Sequence, residues 1–167
     1  MKILFLDVDG PLIPLRIHVK SSEFVYDYDR YDDMSYVYDK NFIKELNEHC
    51  PPQNIQIVFN TAHNDNQGVI DVKHCAIKNG LNPNLIHPNY KTKFPSIIPD
   101  RLYAIRDWLM NNVPENQECK WIVVDDIPLK CGKHLENVDL KQGVTDKHII
   151  SIFGKFLHEK EIIYCRK

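Results

Sequence analysis

Long apolar runs are missing from this 167-residue chain. No stretch approaches the ~20 apolar residues that a membrane-crossing helix needs. The N-terminal run Ile3–Leu6 stops at Asp7, far short of a secretion-signal core. The expected location is therefore the cytoplasm, with no membrane partner. Cysteine pairs are missing too. The five cysteines (Cys50, Cys75, Cys119, Cys131, Cys165) are odd in number and include no Cys-x-x-Cys, which argues against a disulfide framework and for a reducing compartment. Cys131-Gly-Lys-His134 with Cys119 upstream could supply part of a zinc site, but no second close pair completes four ligands, so structural thiols are the better reading. Strong net charge is absent: −2 overall gives no global pull toward nucleic acid or membrane. No repeat recurs at a fixed period.

What remains is an ordinary globular composition, 43% apolar and 26% charged, in a length that suits one core. The expected organisation is a single unit over 1–167. Charge is unevenly spread. Residues 73–106 hold six Lys/Arg (Lys73, Lys78, Lys91, Lys93, Arg101, Arg106) against one acid, Asp100. Such a stretch either faces an anionic substrate or is a solvated face.

Three short apolar runs, Ile3–Leu6, Gln56–Phe59 and Trp121–Val124, read as strands buried on both faces, as in a parallel sheet. Leu85–His87 is a weaker fourth and Ile162–Tyr164 a fifth. Helical periods fall between them, over Asn41–Glu48, Gln67–Asn79 (with Gly80 as a stop), Asp100–Met110 and Thr145–Leu157, with Thr145 as N-cap. The alternation predicts βαβ units and an α/β fold with a parallel sheet flanked by helices. Residues 16–39 break the rhythm. Phe24–Tyr28 and Tyr36–Tyr38 alternate as a β-hairpin would, either a flap overhanging the first strand's end or an edge hairpin with tyrosines on the sheet.

Ligands of open α/β sheets bind beyond the strands' carboxyl ends. There stand Asp7-Val8-Asp9-Gly10, Asn60-Thr61 and Asp125-Asp126. Four converging carboxylates would repel one another unless a cation sits among them. An oxygen-only set suits a hard ion such as magnesium, with a phosphate as co-ligand. Asp7 can attack phosphorus, and Asp9, two residues on, can protonate a leaving oxygen and then activate water. Gly10 permits the turn between them.

Phe5-Leu6-Asp7-Val8-Asp9-Gly10-Pro11-Leu12 resembles the first motif of the haloacid dehalogenase superfamily, an apolar strand followed by Asp-x-Asp-Gly. Val58-Phe59-Asn60-Thr61 resembles its second motif, and Trp121-Ile-Val-Val-Asp125-Asp126 its fourth. Closer still, Arg101-Leu-Tyr-Ala-Ile105-Arg-Asp-Trp108-Leu109, the Trp121–Asp126 run, Val138-Asp139 and Gly143-Val144-Thr145 resemble the small domains related to Swiss army knife RNA-repair proteins. The chain departs where Thr61-Ala62-His63-Asn64 replaces a Ser-x-Trp-Arg, which affects the substrate pocket. The resemblance implies a Rossmann-like fold with a minimal, C0-type cap. It implies an Mg2+-dependent phosphatase with an aspartyl-phosphate on Asp7, metal held by Asp7, Asp9 (through its carbonyl), Asp125 and Asp126, and phosphoryl binding by Gly10, Asn60 and Thr61. Its third-motif cation is expected to be Arg101, with the loop lysine Lys93, and Lys91 nearby, as the alternative. The expected partner is a phosphorylated small molecule, protein or nucleic-acid end, with no obligate protein partner. A nucleic-acid-end phosphatase and a non-catalytic phosphate-binding module are the alternatives.

Overall fold

The computed structural model describes residues 1–14, 37–61, 71–93 and 100–158. Five strands, β1 (Lys2–Leu6), β2 (Ile55–Phe59), β3 (Ile86–Lys91), β4 (Lys120–Asp125) and β5 (Leu135–Asn137), form one sheet in the order β3-β2-β1-β4-β5. Every pair is parallel. The α-helices among the described residues are α1 (Lys40–Gln53), α2 (Val72–Lys78), α3 (Arg101–Asn112) and α4 (Asp146–His158). The arrangement is α/β with a parallel sheet, as the apolar runs predict, and Rossmann-like, as the resemblance implies.

Side chains of a strand alternate between faces, so each central strand feeds two cores. Leu4, Leu6, Ile57, Phe59 and Val124 meet α1, α2 and α4 on one face. Ile3, Phe5, Val58 and Val123 meet Ile105, Trp108 and Leu109 of α3 on the other. The chain steps β1 to β2 to β3 in one direction, then returns past β1 to β4. With right-handed crossovers that reversal puts α3 on the opposite face. Phe5 packs edge-on to Trp108 (ring centroids 5.4 Å apart, planes at 86°). Such a contact adds about 0.5–1.5 kcal/mol beyond the area it buries, and here it seats α3 on β1.

Several boundaries differ from expectation. The first helix runs past Glu48 to Gln53 and stops where Asn54 turns left-handed, with φ 55°. The second is seen from Val72, where Asp71 is extended and caps it through Lys73 N; the expected start at Gln67 lies outside the described residues. The fifth strand is Leu135–Asn137, which no apolar run announces, since it is a three-residue edge strand with a charged middle. Ile162–Tyr164 lies outside the described residues. So does most of the expected hairpin; its last part, Val37–Asp39, forms no strand. There Tyr38 is buried in the core, and Asp39 caps α1 by accepting from Asn41 N and Phe42 N. Among the described residues, no helix is long and apolar enough to cross a membrane.

The basic stretch 73–106 is not one face. Lys73 and Lys78 lie on α2 and Arg101 and Arg106 on α3, across the sheet from each other. The cysteine–histidine set is not a metal site either. His134 instead stacks on Trp121 (centroids 4.3 Å apart) and hydrogen-bonds its carbonyl.

Candidate active site

The strand order reverses between β1 and β4, so a crevice opens where those strands end. Phe5, Val58 and Val123 point to the α3 side. Two residues on, Asp7, Asn60 and Asp125 inherit that side. Their backbones are still held in the ladder. Asp7 N donates to Val124 O (3.0 Å), Asn60 N to Leu6 O (2.9 Å) and Thr92 N to Phe59 O (3.0 Å). The result is a polar row across four strands, Thr92, Asn60, Asp7, Asp125, each 0% exposed.

Arg101 lies over this row. It is the first residue of α3, behind the Asp100 cap, and Phe5–Trp108 packing sets the helix position. Its Nη1 donates to both Asp7 Oδ2 and Asp125 Oδ2, the latter at 2.8 Å. The carboxylates' other oxygens are also engaged: Asp7 Oδ1 accepts from Val8 N and Asp125 Oδ1 from Ile127 N, both at 2.8 Å. Asn137 Nδ2 and Val138 N hold the Asp125 carbonyl, each at 3.0 Å. Burial, reinforced by the neighbouring Asp125, raises the Asp7 pKa against the pull of Arg101. Burial likewise raises Asp125, with Arg101 opposing. Burial works against the Arg101 charge, but the two carboxylates outweigh it and raise its pKa. The positive end of the α3 dipole adds to this anion-attracting corner.

Asp7, Asp125 and Asp126 present carboxylate oxygens within 4.8 Å of one another, the one such metal-competent group among the described residues. Asp126 is partly exposed, and among the described residues its carboxylate makes no hydrogen bond or salt bridge. An oxygen-only set with one free carboxylate fits a hard divalent ion. A second feature fits an oxyanion. Asn60 Oδ1 accepts from Thr92 Oγ1 at 2.8 Å, while Asn60 Nδ2 is buried without a partner among the described residues. Leaving a buried donor unsatisfied costs about 1–3 kcal/mol, and such exceptions ask for a reason.

The loops are set by close contacts. Gly10 has φ +79°, and a Cβ there would lie 2.8 Å from Asp126 Cβ. That contact brings the turn after β1 against the turn after β4. Gly143 has φ +69°, and a Cβ on it would lie 2.7 Å from Pro14 Cβ and 3.0 Å from Gly10 O. The 139–143 turn, held by Asp139 Oδ1 accepting from Lys141 N and Gln142 N, thus buttresses the Gly10 loop.

Of the residues expected from sequence, Asp7, Asp125, Asp126 and Arg101 come together, with Gly10 against Asp126 and Asn60 beside Asp7. Thr61 is buried at the end of β2. Asp9 lies in the turn, partly exposed and bridged through its backbone to Ile13, and its carboxylate is outside the acidic group. Lys93 is exposed and, with Lys91, lines a separate cavity of about 640 Å3 between β3 and α3. Thr92, Asn137 and the Gly143 buttress were not anticipated. Thr92 sits in Lys91-Thr92-Lys93, where no apolar run or motif marks it.

Residues 3–149 match the family described as the HAD domain in Swiss Army Knife RNA repair proteins. The match covers most of the chain, which belongs to this family. Comparison with curated proteins and with solved structures gave no match.

Proposed function

We propose that the protein is a magnesium-dependent phosphohydrolase that cleaves phosphate monoesters through a covalent phosphoryl group on Asp7. One observation carries this reading: in a member of a HAD family, a buried carboxylate, a guanidinium and an amide donor unpartnered among the described residues converge where the sheet order reverses.

In the first half-reaction an Asp7 oxygen forms a bond to phosphorus while the bond from phosphorus to the ester oxygen breaks. Asp9 gives its proton to that departing oxygen. In the second, Asp9 takes a proton from water, the water oxygen bonds phosphorus, and the Asp7–phosphorus bond breaks to free inorganic phosphate. Arg101 holds phosphoryl oxygens and offsets charge as it spreads in the transition state. Gly10, Asn60 and Thr61 supply further donors. Asp7, Asp126 and the Asp9 carbonyl would hold magnesium, with Asp125 in support; bound there, the ion would screen the clustered acids and polarise the phosphoryl group. Lys93 stands outside this set.

Phosphate release from an aryl phosphate, with and without magnesium, in wild type and Asp7→Asn, tests the reading. Release dependent on both supports it. Equal release by Asp7→Asn refutes it, and no release by wild type favours a phosphate-binding module.

A second reading narrows the substrate to a nucleic-acid end. The family description favours it, as does the pair Lys91 and Lys93 in the cavity beside β3. Oligonucleotide affinity would then fall with salt, with a log–log slope of roughly −0.7 per contacted phosphate for single strands. Salt-insensitive binding would reject it.

A further inference from the structure

We propose that Thr92 is a positioning residue, locking the Asn60 amide so that Nδ2 rather than Oδ1 is offered to an oxygen of the transferring phosphoryl group. This rests on the phosphohydrolase reading and extends its site by one strand.

The sheet is built irregularly to put Thr92 there. Ile57 pairs with Ile86, but Phe59, two residues on, pairs with Lys91, five residues on. A regular register would set Pro88 opposite Phe59. The surplus chain forms a bulge, a device that re-aims side chains beside active sites. Its proline, which cannot donate to a ladder, is tolerated because β3 is an edge strand. The bulge is pinned by α3: Trp108 Nε1 donates to Asn89 O at 2.7 Å, and Asn89 Nδ2 to Asn112 Oδ1 at 2.5 Å. Asn89 N also donates to His87 Nδ1 at 3.0 Å. So the helix that carries Arg101 also fixes the bulge that carries Thr92. The two ends of the polar row share one support.

The chemistry explains why the hydroxyl is needed. An amide has a donor end and an acceptor end of nearly equal shape, and its partners alone decide which faces where. Thr92 Oγ1 occupies the acceptor end. The donor end is left buried and, among the described residues, unpartnered, one strand from Asp7. Against a phosphoryl oxygen gaining negative charge, Nδ2 is attractive and Oδ1 repulsive. Loss of the Thr92 hydroxyl frees the amide to turn over.

The test compares Thr92→Val, which removes the hydroxyl at similar volume, with Thr92→Ser, which keeps it. Two readouts are used: kinetics on an aryl phosphate with magnesium, and titration with inorganic phosphate, each beside a thermal melt. Disturbing a supporting partner typically costs about 10- to 100-fold. A loss of that size is expected in kcat for Thr92→Val, with little change in KM, and Thr92→Ser should restore it. Thr92→Val added to Asn60→Ala should cost little more than Asn60→Ala alone, since both act through one amide. Wild-type kcat in Thr92→Val, failure of serine to rescue, or additive losses would overturn the assignment. Asp7→Asn is the control for the underlying reading. If it turns over like wild type, that reading fails by itself, and phosphate titration decides Thr92: equal affinity in wild type and Thr92→Val overturns the positioning role, and weaker affinity rescued by serine upholds it.

Discussion

Arg101 Nη1 donates to Asp7 Oδ2 although 94 residues separate them in sequence, and the same nitrogen reaches Asp125 Oδ2. One guanidinium therefore bridges the two fully buried acids of the site.

Arg101→Ala should accordingly do two things. Removing one partner of a buried ion pair costs roughly 3–5 kcal/mol of stability, readable as a shifted urea midpoint. Removing a preorganised cation should also lower kcat by ~100-fold or more, by analogy with lost oxyanion donors. Lys93→Ala should leave both near wild type, because Lys93 is exposed and lines a different cavity. A large fall in kcat confined to Lys93→Ala would reverse the assignment.

Magnesium should stabilise the folded protein. An ion that binds only the native state at about 100 times its Kd adds about 2.7 kcal/mol, seen as a higher melting temperature. Asp126→Asn should lose most of that increment while melting normally without metal, since among the described residues this carboxylate makes no hydrogen bond or salt bridge. Activity that survives exhaustive chelation would contradict magnesium dependence.

The Gly143 buttress makes a paired prediction. Gly132→Ala meets nothing within 4 Å and pays only for its positive φ of +59°, about 1–2 kcal/mol. Gly143→Ala pays that and also drives a Cβ into Pro14 and Gly10 O. It should be the more destabilising in urea and the only one of the two to depress kcat. Equal effects would mean that the 139–143 turn does not hold the Gly10 loop.

Much of the site was readable because its acids stand directly after short apolar runs, where alternation and strand-end geometry leave little freedom. The parallel sheet follows from the same runs, and α3 from the Leu102, Ile105, Trp108 and Leu109 period. Other features depend on relations that no local pattern carries. Thr92 reaches Asn60 only through the irregular β2–β3 register. β5 is short, polar and at the edge, so burial did not mark it. Tyr38 reads as a strand residue because it alternates with Tyr36, yet it is a core anchor preceding a helix cap, and Tyr38 N is held by Asn79 Oδ1 at 2.9 Å from another helix's end. The sequence favours Arg101 over Lys93 through its place at the start of α3 and the Ile105, Trp108 and Leu109 register, and Arg101 is the one of the two seen paired with Asp7 and Asp125.

Chemical trapping reports whether Asp7 carries the phosphoryl group. The protein is quenched during turnover of an aryl phosphate with magnesium, reduced with borohydride, and the peptide containing Asp7 is weighed. An acyl phosphate at Asp7 is reduced to homoserine, so homoserine at that position, absent without substrate, is the predicted result. An unchanged Asp7 in protein that is demonstrably turning over would contradict the account.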